Sequence, residues 1–411
     1  MRRRVPDTKT RRNIAAISVA LLGSCATDQT GMLGQRVILS PPFEVVQANT
    51  LPTMISWKLD SLSKIDPDHP IVPDGDTQTL SLFGREDLIA ASSDDYKPTN
   101  CLPFAPITMT KTTTAPVDEI VRRAAQTSIV IINESHERSR DRWFTAEVAR
   151  HLRPLGYDTL GLETLSNPPA NVPQRYLPPL FGHPDLPYLS DDDGHYSSEA
   201  GYGRLGRQAK ALGYRLLPYE DNIHNEPSKG ISRSQQIALR EEAQANNLAA
   251  FVKGHPASKL LIHVGYSHAA EVPRADGQRW MAARLKEKTG IDPLTISQTT
   301  CRGGSETTRL ATLPSDQPAG SFDLIIDHPT ERFTRGRPDW RQMAGDRVVT
   351  IPRTLRPTKG WRVVEARPMG EPDTSVPVDR VAIRPGEDIG LLLPSGRYHV
   401  RAIDVAYSDG K

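Results

Sequence analysis

The rhythm of apolar and polar positions changes near Val117. From Ala26 to about Thr114, Pro, Ser, Thr and Asp dominate and apolar runs are short, as at Val37 to Leu39 and Leu80 to Phe83. That predicts a tether followed by a few irregular strands. Beyond Val117, strand and helix patterns alternate. Ser128 to Ile132 is a β-branched apolar run, Asp141 to Leu152 has helical spacing closed by Pro154 and Gly156, and Thr159 to Leu162 reads as a second strand. After a Pro-rich insertion from Pro168 to Pro187, a helix from about Ser198 to Leu212 leads to a strand at Arg215 to Pro218. A long helix from Ser232 to Val252, a strand at Lys259 to Val264, a helix at Arg279 to Lys288 and a strand at Leu294 to Ser297 follow. Short strands separated mostly by helices imply an α/β fold whose sheet is mainly parallel and covered by helices.

Phe322 to Ile326 can add one more strand. From Arg347 to Val405 the pattern turns to short alternating strands with turn signals at Arg384-Pro385-Gly386 and Pro394-Ser395-Gly396, which predicts a small all-β C-terminal module. The expected organisation is a signal segment at 1–25, a tether and irregular extension at 26–116, an α/β core domain at 117–330 and a β module at 331–411.

The N-terminus changes the picture of where the chain works. Arg2, Arg3, Arg4, Lys9, Arg11 and Arg12 precede an uncharged run from Ile14 to Leu22, far shorter than the ~20 residues that span a bilayer. This reads as an export signal. Its end, Leu22-Gly23-Ser24-Cys25, resembles the lipobox of bacterial lipoproteins, in which the cysteine is acylated. Lipidation of Cys25 implies a membrane partner through the N-terminal lipid, and Ala26 in the next position implies sorting to the outer membrane. Cys101 and Cys301 are then the remaining cysteines, in a compartment that permits disulfides, and they are expected to pair. A net charge of +2 over 411 residues, with basic residues spread through the chain, argues against a nucleic-acid partner.

Candidate chemistry collects after the expected strands: Glu134 and His136 after the first, Glu163 after the second, Glu220 and Asp221 after the third, His268 and Glu271 after the fourth. In parallel sheets, ligands sit at the carboxyl ends of strands. Taken singly, Glu220, Asp221 and Glu271 read as solvated or capping loop acids; taken together, the placement is a site. Glu134 and His136 are two residues apart, so in extended backbone their side chains point the same way. That suits either a His general base oriented by a carboxylate or two ligands of one metal.

Four segments resemble a known superfamily in their order and context. Asn133-Glu134-Ser135-His136 is similar to the Gly-Glu-x-His signature, and Gly265-Tyr266-Ser267-His268 to the Gly-x-x-His signature, of the superfamily containing erythromycin esterases, ChaN-type haem-binding lipoproteins, and TraB and Tiki proteins. Gly156-Tyr157 with Leu160 to Glu163 resembles its second strand. Arg240-Glu241-Glu242 followed by Ala245-Asn246-Asn247-Leu248 resembles its conserved helix. The resemblance covers about 117–300. Asn133 stands where the signature has its first glycine, a departure expected to narrow the room beside the site.

On the Ser232 to Val252 helix, Arg240, Gln244 and Asn247 share one face, while Glu241 falls on a stripe with Ile237, Ala245, Leu248 and Val252. A charge on an apolar stripe needs a partner. A structural Arg–carboxylate pair and an Arg aimed at a substrate oxyanion are both open.

Other patterns carry less. Gly201-Tyr202-Gly203-Arg204-Leu205-Gly206 matches the dinucleotide fingerprint, but the polar Asp191-Asp192-Asp193-Gly194 loop precedes it where a strand is required, so nucleotide binding is not expected. Gly265-Tyr266-Ser267-His268-Ala269 looks like a nucleophile elbow with Ser267 as nucleophile, yet no HGGG-type oxyanion segment lies upstream. His183 and His195 read as surface residues, although His195, Tyr196 and Tyr202 can form a lid.

The resemblance implies three readings. In the first, an ester or amide hydrolase acting on a small molecule or peptide, His136 is general base, Glu134 or Glu163 orients it, and His268 and Arg240 stabilise developing negative charge. In the second, a ChaN-like lipoprotein holds haem or iron. In the third, a divalent-metal hydrolase of Tiki type has His136, His268 and Glu163 or Glu134 as ligands. The cofactor is accordingly none, a divalent metal or haem.

Overall fold

The computed structural model describes residues 36–51, 53–70, 77–93, 96–99, 101–104, 115–169, 171–221, 230–274 and 276–407. The expected signal segment and Cys25 lie outside them. In chain order come β1 (Val37–Gln47), the helices Thr53–Ser63, Thr77–Leu82 and Glu86–Ser92, and the helix Pro116–Ala124. Then follow β2 (Ile129–Glu134), β3 (Tyr157–Leu162), β4 (Arg215–Pro218), β5 (Lys259–Gly265), β6 (Leu294–Arg302), β7 (Arg309–Ala311) and β8 (Leu324–His328). The last seven form one sheet in the order β4-β3-β5-β2-β6-β8-β7. Its pairs are parallel except at the edge, where β7 runs antiparallel to β8.

Both faces of this sheet are covered, which is why its strands read as continuous apolar runs and not as alternation. On β2, Val130 and Ile132 pack with Phe144, Val148 and Leu152 of the helix Ser139–Leu152 and with Tyr202, Leu205 and Ala209 of the helix Ala200–Ala211. Ile129 and Ile131 point the other way, to Ala245 and Leu248 of the helix Arg233–Gly254 and to Met281 and Leu285 of the helix Met281–Thr289. The fold is therefore α/β with a large, mainly parallel, helix-covered sheet.

The remaining strands are β9 (Phe333–Thr334) and β10 (Arg337–Pro338), a short pair, then β11 (Arg347–Val349), β12 (Trp361–Pro368), β13 (Asp379–Ile383), β14 (Leu391–Leu393) and β15 (Gly396–Val405). β12, β13 and β15 build a small sheet in the order β1-β15-β12-β13, and β11 pairs with β14. Here the structure differs from the sequence expectation. The stretch read as a tether supplies β1, parallel to β15, and helices whose Ile55, Leu59, Leu62 and Leu80, with Phe83 in the turn that follows, pack on Trp361, Val363 and Ile403. The apolar runs were short because each element covers only part of one sheet face; Ile55, Leu59 and Leu62 do carry helical spacing.

The C-terminal β part and the α/β part belong to one compact unit spanning Val37–Lys411. A buried ion cluster joins them: Asp191, in the loop before the helix Ala200–Ala211, faces Arg367 at 3.2 Å and Arg380 at 3.1 Å, and both arginines also hold Glu365. Cys101 and Cys301 are disulfide-bonded, with Cα atoms 5.9 Å apart. No helix among the described residues is long and apolar enough to cross a membrane.

Candidate functional site

The register of the central strands brings the two signature segments together. β2 lies beside β5, with Asn133 opposite Val264 and Glu134 opposite Gly265; β3, which ends just before Glu163, lies on the other side of β5. The carboxyl ends of three neighbouring strands thus deliver His136, Glu163 and His268 to one place.

His136 is held from several sides. Its Nδ1 lies 2.8 Å from Oε1 of Glu134, which is fully buried. That carboxylate accepts the Tyr202 hydroxyl at 2.7 Å and faces Arg142 Nε at 3.0 Å and His263 Nε2 at 3.4 Å. Burial opposes the charge on Glu134, but Arg142 with His136 and His263 outweighs it and holds the carboxyl well below the usual range. Arg142 also donates to the His136 carbonyl at 2.8 Å. The rings of Tyr196 and Tyr266 flank the imidazole, with centroids at 4.6 and 4.9 Å. His136 is about one-fifth exposed, and its Nε2 has no hydrogen-bond partner among the described residues. Nδ1 is thus anchored to a carboxylate while Nε2 is open, the arrangement that fixes a general base in one tautomer.

Gly265 explains why the second signature starts with glycine. A Cβ there would lie 2.4 Å from His136 Cε1, 2.9 Å from its Nε2 and 3.0 Å from Glu163 Oε2. His136 Nε2 and Glu163 Oε2 therefore face the same point above the Gly265 backbone. Next to it, Tyr266 adopts φ 42, left-handed backbone that a residue with a bulky side chain rarely takes. Asn133 holds it there: its Nδ2 donates to the Tyr266 carbonyl at 2.6 Å, while its Oδ1 accepts the Gln298 N–H at 2.7 Å. The departure from the glycine signature therefore works as a strut from β2 to the 3₁₀ turn Tyr266–Ala269 and to β6.

The second half of the site is an ion cluster. Glu163 accepts the Gly265 N–H at 2.5 Å and the Tyr196 hydroxyl at 3.2 Å on Oε2, and pairs with Arg240 through Oε1. Arg240 is shared with Glu220, which accepts its Nε at 3.0 Å and Gln244 Nε2 at 3.0 Å. Burial raises both carboxyls, but the charges of Arg240, His268 and His136 bring Glu163 down to about 2, whereas Glu220 stays raised. Glu241, expected to need a partner on its apolar stripe, meets His268 Nδ1 and accepts the Met281 N–H at 2.5 Å. Burial disfavours charge on His268; Glu241 and Glu163 overcome it and push its pKa up.

Glu134, His136, Glu163, His268, Arg240 and Glu220 come together. Glu271 does not join them: it pairs with Lys286 and accepts Thr295 Oγ1, each at 2.8 Å. Asp221 is buried beside Glu220, to whose Oε1 it donates its N–H at 2.7 Å. Ser267 is exposed on the 3₁₀ turn, and His183 is exposed at the end of the insertion. Tyr196 and Tyr202, read as lid residues, instead donate their hydroxyls to Glu163 and Glu134, and Tyr202 is fully buried. The fingerprint glycines sit inside the helix Ala200–Ala211 and give close packing: a Cβ at Gly203 would lie 2.7 Å from Val376 Cγ1, and one at Gly206 2.8 Å from Leu189 Cδ1.

Sequence reasoning missed Arg142 and His263. Arg142 lay within an expected helix, eight residues past Glu134, and His263 within an apolar strand run. An imidazole inside an apolar strand run demands a partner, and that was the available signal for His263; Arg142 carried none.

The residues do not fit the metal set of His136, His268 and Glu163. Both Glu163 oxygens are committed, His268 Nδ1 is on Glu241, and the Arg240 guanidinium lies 3.3 Å from His268 Nε2, where a cation would have to sit. Among the described residues, no group of three or more His, Cys, Asp or Glu is arranged to hold a metal ion.

No family model matches the chain, and no curated protein does. Among solved structures, the type III effector HopBA1 is similar over 57% of this chain and 99% of its own, at 16% identity and TM-score 0.36. RRSP, a MARTX toxin effector domain from Vibrio vulnificus, matches over 53% of this chain and 38% of its own, at 15% identity and TM-score 0.34. ChaN of Campylobacter jejuni, solved with cofacial haem, matches over 51% of this chain and 90% of its own, at 11% identity and TM-score 0.33. These are distant likenesses of fold.

Proposed function

We propose that this chain is a metal-independent hydrolase of an ester or amide, with His136 as general base. The observation that carries the reading is the asymmetry of the His136 ring: Nδ1 is fixed on a buried, ionised Glu134, and Nε2 is open above Gly265. In this mechanism His136 Nε2 takes a proton from water as the oxygen attacks the carbonyl carbon, and the imidazolium formed is stabilised by Glu134. Arg142 keeps Glu134 ionised, so the carboxylate does not compete for the proton. His268 and Arg240 supply the positive side of the site, where the carbonyl oxygen gains charge. As the tetrahedral intermediate collapses, His136 Nε2 gives that proton to the leaving oxygen or nitrogen, while Glu163 holds Arg240 and the Gly265 N–H in place beside it.

The N-terminal arginines and the Leu22-Gly23-Ser24-Cys25 segment support a further part of the reading: a lipoprotein exported and tethered through Cys25 in the outer membrane, acting on a small-molecule or peptide substrate.

His136→Ala is the clean test. The ring is partly exposed, and its loss leaves Glu134 paired with Arg142 and Tyr202. Turnover of an ester and amide panel should fall by about 10²-fold or more with the melting temperature nearly unchanged. Full activity in this variant would sink the assignment. His268→Ala is less clean, because it strands the fully buried Glu241.

A further inference from the structure

Behind the His136–Glu134 pair lies a cavity of about 420 Å³ that the proposed chemistry does not use. Its walls come from the helices Ser139–Leu152 and Ala200–Ala211 on one side and from Trp340, Val378 and Pro394 of the C-terminal part on the other. Its size is that of a small-molecule site. Its surface is mostly apolar, and two indoles define its character. Trp143 is 41% exposed and Trp340 is buried, with ring centroids 5.7 Å apart at 53°. Trp143 is an unusually large apolar surface to leave in water beside an open space.

The polar part of the wall is mostly donors, and its carboxylate, Glu199, already accepts the Tyr202 N–H at 3.3 Å and faces Arg142 Nε at 3.4 Å. Arg204 and Arg341 are neutralised by Asp346 and Asp379, and Arg207 by Glu371. Two donors are left over: the indole N–H of Trp340 and Nη1 of Arg142 have no hydrogen-bond partner among the described residues. Trp340 is 8% exposed and Arg142 1%, so water does not reach them freely. Unmatched buried donors beside an apolar cavity call for an acceptor on the molecule that fills it.

We infer that this cavity is a second binding site, for a flat aromatic molecule bearing an oxygen acceptor at one edge. The aromatic body lies against Trp143 and Trp340, and the acceptor meets Trp340 Nε1 and Arg142 Nη1. Occupancy is felt at His136, because the same guanidinium lies 3.0 Å from Glu134 Oε2 and donates to the His136 carbonyl at 2.8 Å. An acceptor that draws Arg142 towards the cavity weakens its hold on Glu134, and so changes the anchoring of His136 Nδ1. The coupling runs through one shared side chain and needs no change of fold.

The test uses 8-anilinonaphthalene-1-sulfonate, an aromatic body with a sulfonate acceptor, titrated into the folded full chain while its emission and the quenching of tryptophan fluorescence are followed. One saturable site is expected, weakened about tenfold by Trp143→Ala, which removes an aromatic face. Ala211→Trp, at an exposed lining position, should block the mouth and weaken binding in the same way. Saturation should also move the ring-nitrogen NMR signals of His136, assigned by their loss in His136→Asn. Non-saturable binding, or saturable binding indifferent to both cavity variants, overturns the site. Binding that responds to both variants while the His136 signals stay still overturns the coupling. Neither readout uses turnover, so both stand or fall apart from the hydrolase reading.

Discussion

Single residues here do their work through what they force on a neighbour. Gly265 is the clearest case, because its missing side chain is the space in which the His136 ring sits. Gly265→Ala should push the ring away from Glu163 and lower turnover by about 10²-fold, since misplacing a base by an ångström costs that much. The stability loss should be about 1–3 kcal/mol, as for other overpacked positions. Kinetics and thermal denaturation of the purified variant measure both, and wild-type turnover would show that the ring does not need this space. Glu134, His136, Glu163 and His268 were legible from their places at the ends of apolar runs. Arg142 was not: nothing local distinguishes a helical arginine that is 1% exposed from one that is solvated, and only the carboxylates of Glu134 and Glu199 opposite it make its burial tolerable.

At the scale of elements, the turn from β2 into the helix Ser139–Leu152 carries the site on a buried acid. Asp141, in the first turn of that helix, accepts the Ser135 N–H at 2.9 Å and so fixes the backbone between Glu134 and His136. Burial outweighs Arg138 and raises its carboxyl from 3.8 to about 7. Between those values the folded chain keeps a proton that the unfolded chain has lost, so stability falls as pH rises through this window. Glu331, raised by burial to about 8, adds to the same slope at slightly higher pH. His328, kept neutral by burial, opposes this slope below 6.5, so the test is the difference: the melting temperature of the wild type minus that of Asp141→Asn, which keeps an acceptor for Ser135, should fall as pH rises through the window. An unchanged slope in the variant would mean that Asp141 ionises normally. The helix itself was legible from its spacing; the protonation state of its first acid depends on what the fold stacks around it.

For the whole molecule, the telling feature is that the α/β part and the C-terminal β part share one ion cluster. Asp191 belongs to the α/β part, yet Arg367 and Arg380, which neutralise it, belong to β12 and β13, and all of them are almost wholly buried. A fragment ending near residue 330 would leave Asp191 without its cations, a loss of about 3–5 kcal/mol. It would also bare the apolar surface of the α/β core that Val376 covers. Residues 117–330 expressed alone should lack the cooperative thermal transition of the full chain. A sharp transition and dispersed amide NMR signals from that fragment would show instead that the α/β part is autonomous.

The sequence by itself determined the alternation of strands and helices, the mainly parallel covered sheet, and which strand ends carry acids and imidazoles. These follow from short continuous apolar runs and from the 3.6-residue period of the helices between them, which are local properties of the chain. Tertiary structure alone decided that β5 lies between β3 and β2, which sets His136 beside Glu163 and Gly265. It also decided that Arg142 and His263 stand behind Glu134, that Glu241 answers His268, and that the extension before Val117 covers the C-terminal sheet. The physical reason is the same in each case. A buried charge or a partial sheet face is tolerable only with a partner, and the partner is chosen by strand order across long stretches of chain, which no local pattern records.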